Sequence, residues 1–202
     1  MKKKQVLSRK RRALRRVLAA LVMLFLAQQV FHAGYLLPVQ VIRAQEETIG
    51  CGRTTIVETQ WEPKVPEAHR TYWVYLTGNE NVTMIKGVQL SFLAGWTGDL
   101  VKPLDESQGG VFSAGQFWKS YGEGAGVCYL FGQIRDPKIQ SIFVTDGNQT
   151  RTVERADFLE KDGRTYFLLR EEGQMRPVAA RWKRAAALDA AGNVLAEIEM
   201  NR

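Results

Sequence analysis

From Val17 to Ile42 the chain contains no Asp, Glu, Lys or Arg, and nine Lys and Arg residues crowd into the 16 positions before that stretch. Gln28, Gln29, His32 and Gln40 are its main polar interruptions, with Gly34 and Pro38 near its end. As one helix, these 26 residues would extend roughly 39 Å, enough to cross a hydrocarbon core of about 30 Å with tilt. The basic block predicts a cytoplasmic N-terminus by the positive-inside rule. The organisation expected is a cytoplasmic tail over 1–16, a transmembrane helix or uncleaved signal anchor over 17–42, a linker over 43–52, and a folded domain over 53–202 outside the membrane. The basic flank would also attract anionic lipid headgroups, which makes membrane lipid the first expected partner.

Secretion after signal cleavage is the alternative. Val17 to Ala27 has the length of a signal h-region, and the best cleavage site follows Ala44. Thr48-Ile49-Gly50-Cys51 ends like a lipobox, but Gln45, Glu46 and Glu47 separate it from the apolar run. Either route exports the rest of the chain.

Charge follows the same division. Ten of the 28 Lys and Arg lie before residue 44, and all 21 Asp and Glu lie after residue 45. The exported part therefore holds 18 positive charges against 21 negative ones, a net of −3. A mildly acidic domain lacks the basic surface that phosphate contacts require, so nucleic acid is not an expected partner. The two cysteines, Cys51 and Cys128, both follow the apolar stretch, and an even pair in an exported chain predicts a disulfide. Closing a loop of about 77 residues, that bridge would contribute on the order of 4 kcal/mol. With no CxxC and no His cluster, no metal site is expected.

Beyond residue 53, short apolar runs alternate with turn residues, which predicts an all-β domain. Val88, Leu90 and Phe92 alternate with polar neighbours, as on a half-buried strand. TYWVYL (71–76) and VCYLF (127–131) are apolar or aromatic on both faces and read as central strands. Turns are expected at Thr77-Gly78-Asn79, Asp146-Gly147-Asn148, Asp162-Gly163 and Ala191-Gly192-Asn193. The alanine-rich run 179–191 has helix propensity, but its alternation and the turn after it favour a strand. Eight or nine strands in an antiparallel sandwich with an immunoglobulin-like look are the expected fold.

Catalytic patterns are sparse. The glycine-rich 122–126 segment lacks the P-loop pattern and precedes a strand rather than a helix. Asp105-Glu106 and Glu171-Glu172 are sequence neighbours, which extended chain points to opposite faces. His69 is the one histidine of the exported part, and no GxSxG accompanies it. His69, Cys128 and Arg135 do follow one another in the order of a His, a Cys nucleophile and an oxyanion-stabilising Arg. With a basic tail, one span and a β domain, this resembles the sortases in outline. Their Thr-Leu-x-Thr-Cys signature is absent, and Gly126-Val127-Cys128 stands in its place.

Aromatic residues in glycine-rich surroundings, namely Trp96, Trp118 and Tyr121, are the candidate binding surface, because exposed Trp and Tyr stack on sugars or anchor protein contacts. The sequence thus points to a membrane-anchored, non-enzymatic binding or accessory module for an envelope protein or cell-wall polymer, with no cofactor. A sortase-like thiol enzyme using Cys128 is the alternative.

Overall fold

The structure is a computed structural model, and it describes residues 9–31, 34–62, 71–91, 95–106, 110–122, 125–174 and 182–200. The apolar N-terminal stretch is not one helix. α1 (Arg9–Phe31) ends before Gly34. Tyr35 then forms an antiparallel bridge to Trp96, and α2 (Pro38–Ile49) begins with a proline in its first turn. Pro38 supports that start because its fixed φ suits the first helical position and its missing N–H costs nothing there. Gly50 ends α2 in the left-handed conformation, with its amide bonded to the carbonyl of Glu46.

The expected transmembrane helix over 17–42 is therefore corrected. Among the described residues no helix is long and apolar enough to cross a membrane. Lys and Arg occupy much of α1 up to Arg16, so its uncharged part, 17–31, is 15 residues. That length rises only about 22 Å, short of a hydrocarbon core of about 30 Å. The expected linker is corrected as well. Val41, Ile42 and Glu46 are buried, so residues 38–49 belong to the folded unit. Cleavage after Ala44 would cut α2 in the middle and remove both of its buried apolar residues.

Among the described residues, twelve strands build three four-stranded antiparallel sheets. The first sheet is a meander of β1 (Thr55–Glu62), β2 (Thr71–Gly78), β3 (Val82–Ser91) and β4 (Gly95–Asp105). The middle sheet runs in the order β5 (Gly115–Gly122), β6 (Ala125–Ile134), β10 (Arg164–Gln174), β9 (Leu159–Lys161). The outer sheet runs β12 (Val194–Glu199), β11 (Arg184–Leu188), β7 (Ser141–Thr145), β8 (Thr150–Glu154).

The sheets stack, and an antiparallel β-sandwich is what the structure shows, but with three sheets where two were expected. Alternation along the central strands explains why. Val127, Tyr129 and Phe131 of β6 meet Tyr72, Val74 and Leu76 of β2 in one core. Cys128 and Leu130 of the same strand meet Ile142, Val144, Ala185 and Ala187 of the outer sheet in a second. A strand apolar on both faces needs a cover on each side. β2 has the same requirement, met by the middle sheet on one face and by α2 on the other, where Tyr75 and Val88 pack on Val41 and Ile42.

Of the four expected turns, the one at Thr77-Gly78-Asn79 is displaced, because Thr77 and Gly78 stay paired in β2 and the chain turns over 79–81; the other three are present. Gly147, Gly163 and Gly192 all take positive φ at the β7–β8, β9–β10 and β11–β12 turns. The alanine-rich run does enter a strand, with Ala185 and Ala187 buried and paired to Val144 and Ile142. Residues 179–181 lie outside the described residues.

Candidate functional site

Three clusters of ion pairs among the described residues hold buried carboxylates, and buried, perturbed ionisable groups are the usual first candidates for chemistry. The first joins α2 to the first sheet. Glu46 accepts from Lys86 Nζ at 2.9 Å, from Arg43 Nη1 at 2.6 Å, and from the Thr54 amide at 3.2 Å and hydroxyl. Burial opposes charge on Glu46, but the bonds from Thr54, Arg43 and Lys86 outweigh it and hold the carboxyl below its ordinary range. Burial lowers the Lys86 ammonium, with Glu46 acting against that shift.

The second cluster closes the interface between the first and middle sheets. Arg170 binds Glu62 through Nε at 2.6 Å and Nη2 at 2.8 Å, the two-pronged geometry of a strong guanidinium–carboxylate pair. The Tyr129 hydroxyl donates to the same carboxylate. Burial, and then that hydrogen bond to Glu62, push the Tyr129 phenol well above its ordinary range. Beside it Tyr72 donates to Asp99 at 2.8 Å, and Lys119 binds Asp99 at 2.7 Å.

In the third cluster Arg135 reaches the carboxylate and the backbone carbonyl of Glu106 and the Gly110 carbonyl, while Ser113 donates to Glu106 at 2.6 Å. Each cluster ties separate segments of the chain: Lys86 of β3 to Glu46 of α2, Arg170 of β10 to Glu62 of β1, and Arg135, just past β6, to Glu106, just past β4. They act as latches: satisfied charges that join layers and leave no proton acceptor aimed at an open cavity.

The residues singled out from sequence are dispersed. Cys51 follows α2, with its backbone amide on the Glu46 carbonyl, on the outer face of the first sheet. Cys128 points into the core between the middle and outer sheets. At least one whole sheet lies between them, and stacked sheets sit about 10 Å apart. A disulfide needs Cα atoms within about 7 Å. The expected bridge is therefore corrected: Cys51 and Cys128 are not joined. Burial raises the Cys51 thiol.

The thiol-enzyme constellation is not assembled by the described residues. Cys128 is buried among Leu130, Ile142 and Phe167, where substrate has no approach. Arg135 lies seven positions along, just past the end of β6, roughly 23 Å away at the rise of a strand, and is committed to Glu106. His69 lies outside the described residues. Of the three aromatics proposed as a binding surface, Trp96 packs against the cluster that α2 covers, and Trp118 packs on the Cys128 core, opposite Cys128 in register. Both are half-buried. The Tyr121 side chain lies outside the described residues.

An open cleft lies elsewhere, at the end of the stack where β6 finishes and β10 starts. It has a volume of about 470 Å³ and is lined by Arg135, Arg155, Arg164, Glu80, Asp136 and Phe158 among others. That volume is in the range of small-ligand sites. Arg155 bonds the carbonyls of Pro137 and Ile139, and no described carboxylate pairs with Arg155 or Arg164. Glu106 neutralises Arg135, so the guanidiniums the cleft offers are those of Arg155 and Arg164, set against the carboxylates of Glu80 and Asp136. Sequence reasoning missed it because Arg155, in a short 3-10 helix, and Arg164, at the start of β10, each look like ordinary surface, and only the fold brings them beside Arg135. No family model matches the chain, and no curated protein or solved structure matches it.

Proposed function

We propose that the chain is a membrane-associated binding or accessory module whose β domain stands outside the cytoplasm and engages an envelope protein or polymer without catalysis. The observation that carries this reading is α1. Every large apolar side chain from Val17 to Leu26 is exposed, directly after a run of Lys and Arg. An uncovered apolar helix of this kind requires an apolar surrounding. A bilayer bordered by anionic headgroups supplies one and matches the basic flank. Short as it is, the 17–31 segment has the length of an h-region, so it suits targeting to the export pathway.

On this reading the working surface is the arginine-lined cleft, where Arg155 and Arg164 have no described carboxylate partner and suit an acidic group, a carboxylate or phosphate, on the partner. The test uses the full chain in its own cells. Protease added outside intact spheroplasts is expected to digest the β domain. Digestion only after lysis overturns the outside placement. Purified full chain in mild detergent is expected to bind envelope fractions and to lose that binding in Arg155→Gln/Arg164→Gln. Absence of binding by the unaltered chain overturns the module reading.

A further inference from the structure

Four exposed apolar side chains stand at the joint between α1 and the folded unit. Tyr35, Leu36, Leu37 and Val39 are 38, 48, 56 and 39 % exposed, whereas Val41 and Ile42, a turn further on, are 1 and 0 % exposed. The joint is fixed to the domain. Tyr35 and Trp96 exchange backbone hydrogen bonds of 2.7 and 2.8 Å. Gly95 makes that approach possible, since it has φ +73° and a Cβ there would sit 2.8 Å from the Tyr35 carbonyl oxygen. Immediately after the bridge, α2 is clamped to the first sheet by Glu46 and Lys86. The patch is thus a rigid apolar knob, with Tyr35 and Trp96 at its base.

The chain itself says what covers it. Tyr35 follows Phe31, the last residue of α1, by four positions, and four residues of extended chain reach at most about 14 Å. Once α1 is buried in a bilayer, Tyr35 must lie within that distance of the point where α1 ends. Leu36, Leu37 and Val39 then meet the acyl boundary, and Tyr35 and Trp96 fall at the headgroup level, where amphipathic aromatic rings are favoured.

We propose that this knob is a second membrane contact, which docks the domain on the lipid surface in one orientation. The inference rests on the membrane reading given above. β4 runs from Trp96 toward Glu106, the partner of Arg135 at the cleft, and its length is roughly 33 Å at the rise of a strand. Docking through the knob therefore directs the arginine-lined cleft away from the bilayer.

The test places an environment-sensitive fluorophore on the full chain in a Cys51→Ser background, where Cys128 is buried and does not label. Probe positions are Leu37→Cys in the knob, Met23→Cys in α1 and Val194→Cys on the outer sheet. Each variant is added to vesicles of phosphatidylcholine and phosphatidylglycerol, with and without brominated acyl chains. Docking gives a blue shift and bromine quenching at 37 and 23, with no change at 194. Quenching at 23 but not at 37 overturns the knob and leaves the membrane reading standing. No quenching at either position overturns both. Equal quenching at 37 and 194 overturns the single orientation.

Discussion

One uncharged stretch of sequence, 17–42, supplies the end of α1 and the start of α2, and the two helices have opposite fates. α1 exposes its apolar side chains all round as far as Leu26, and no single stripe can face a protein core. α2 keeps a narrow apolar edge, Val41 and Ile42, with Gln40, Arg43 and Glu46 around it. That edge seats on Tyr75 and Val88 while Glu46 plugs into Lys86. Hydrophobicity alone does not distinguish a segment the domain leaves uncovered from one it seats on a sheet. The arrangement of the apolar groups does, together with the presence of a charge that has a partner waiting.

The sharpest way to separate the two helices is to charge the first. Leu21→Arg/Leu24→Arg should cost roughly 3–4 kcal/mol of bilayer insertion per substitution, read as loss of vesicle flotation, while the melting of the β domain is unchanged. A fall in melting temperature would mean that α1 packs on the domain after all.

Next in size is Glu46→Ala. It leaves Lys86 charged in a dry interface and should lower unfolding free energy by about 3–5 kcal/mol in denaturant titration, and Glu46→Ala/Lys86→Met should recover part of that loss. The same carboxylate sets a pH effect. Its folded pKa lies below the ordinary value of 4.5. Its contribution is therefore complete above that value and disappears as the pH falls through the folded pKa. Below that window the unaltered chain and the Glu46→Gln variant should lose stability along parallel curves. Within it, only the unaltered chain should lose this contribution. Identical slopes throughout would remove Glu46 from the argument.

The smallest effect is the most direct comparison. Ile42→Ala should cost about 3 kcal/mol, as a buried truncation does, and Leu21→Ala less than about 0.5 kcal/mol, as an exposed one does. Equal losses would erase the distinction between the helices.

Much of the β framework was legible in the sequence. The two-faced runs at 71–76 and 127–131 became β2 and β6, each covered on both sides, and glycine turns closed three hairpins at the expected positions. Alternation reports which residues are buried, but not what buries them, so a third sheet could not be read from it. α2 was hidden because Gln45-Glu46-Glu47 looks like solvated linker. What makes Glu46 a core residue is Lys86, 40 positions away. The pairs Glu62–Arg170 and Glu106–Arg135 are equally non-local. The cysteine pairing failed for a related reason: equal numbers of thiols carry no information about layers.

The order of strands along the chain has a consequence for how the molecule assembles. The first sheet is contiguous in sequence, four strands joined one after another from Thr55 to Asp105. The other two are interleaved: the chain builds β5 and β6, leaves for β7 and β8, returns for β9 and β10, and leaves again for β11 and β12. The middle sheet cannot be finished until β7 and β8 have been made, and its outward face stays half-covered until β11 and β12 follow, so the two sheets gain and lose structure as one cooperative block. A chain emerging N-terminus first can pair its meander while the rest is still being delivered. The two-sheet block has to wait for the last strand, which makes arrest late in synthesis far more damaging than the few missing residues suggest.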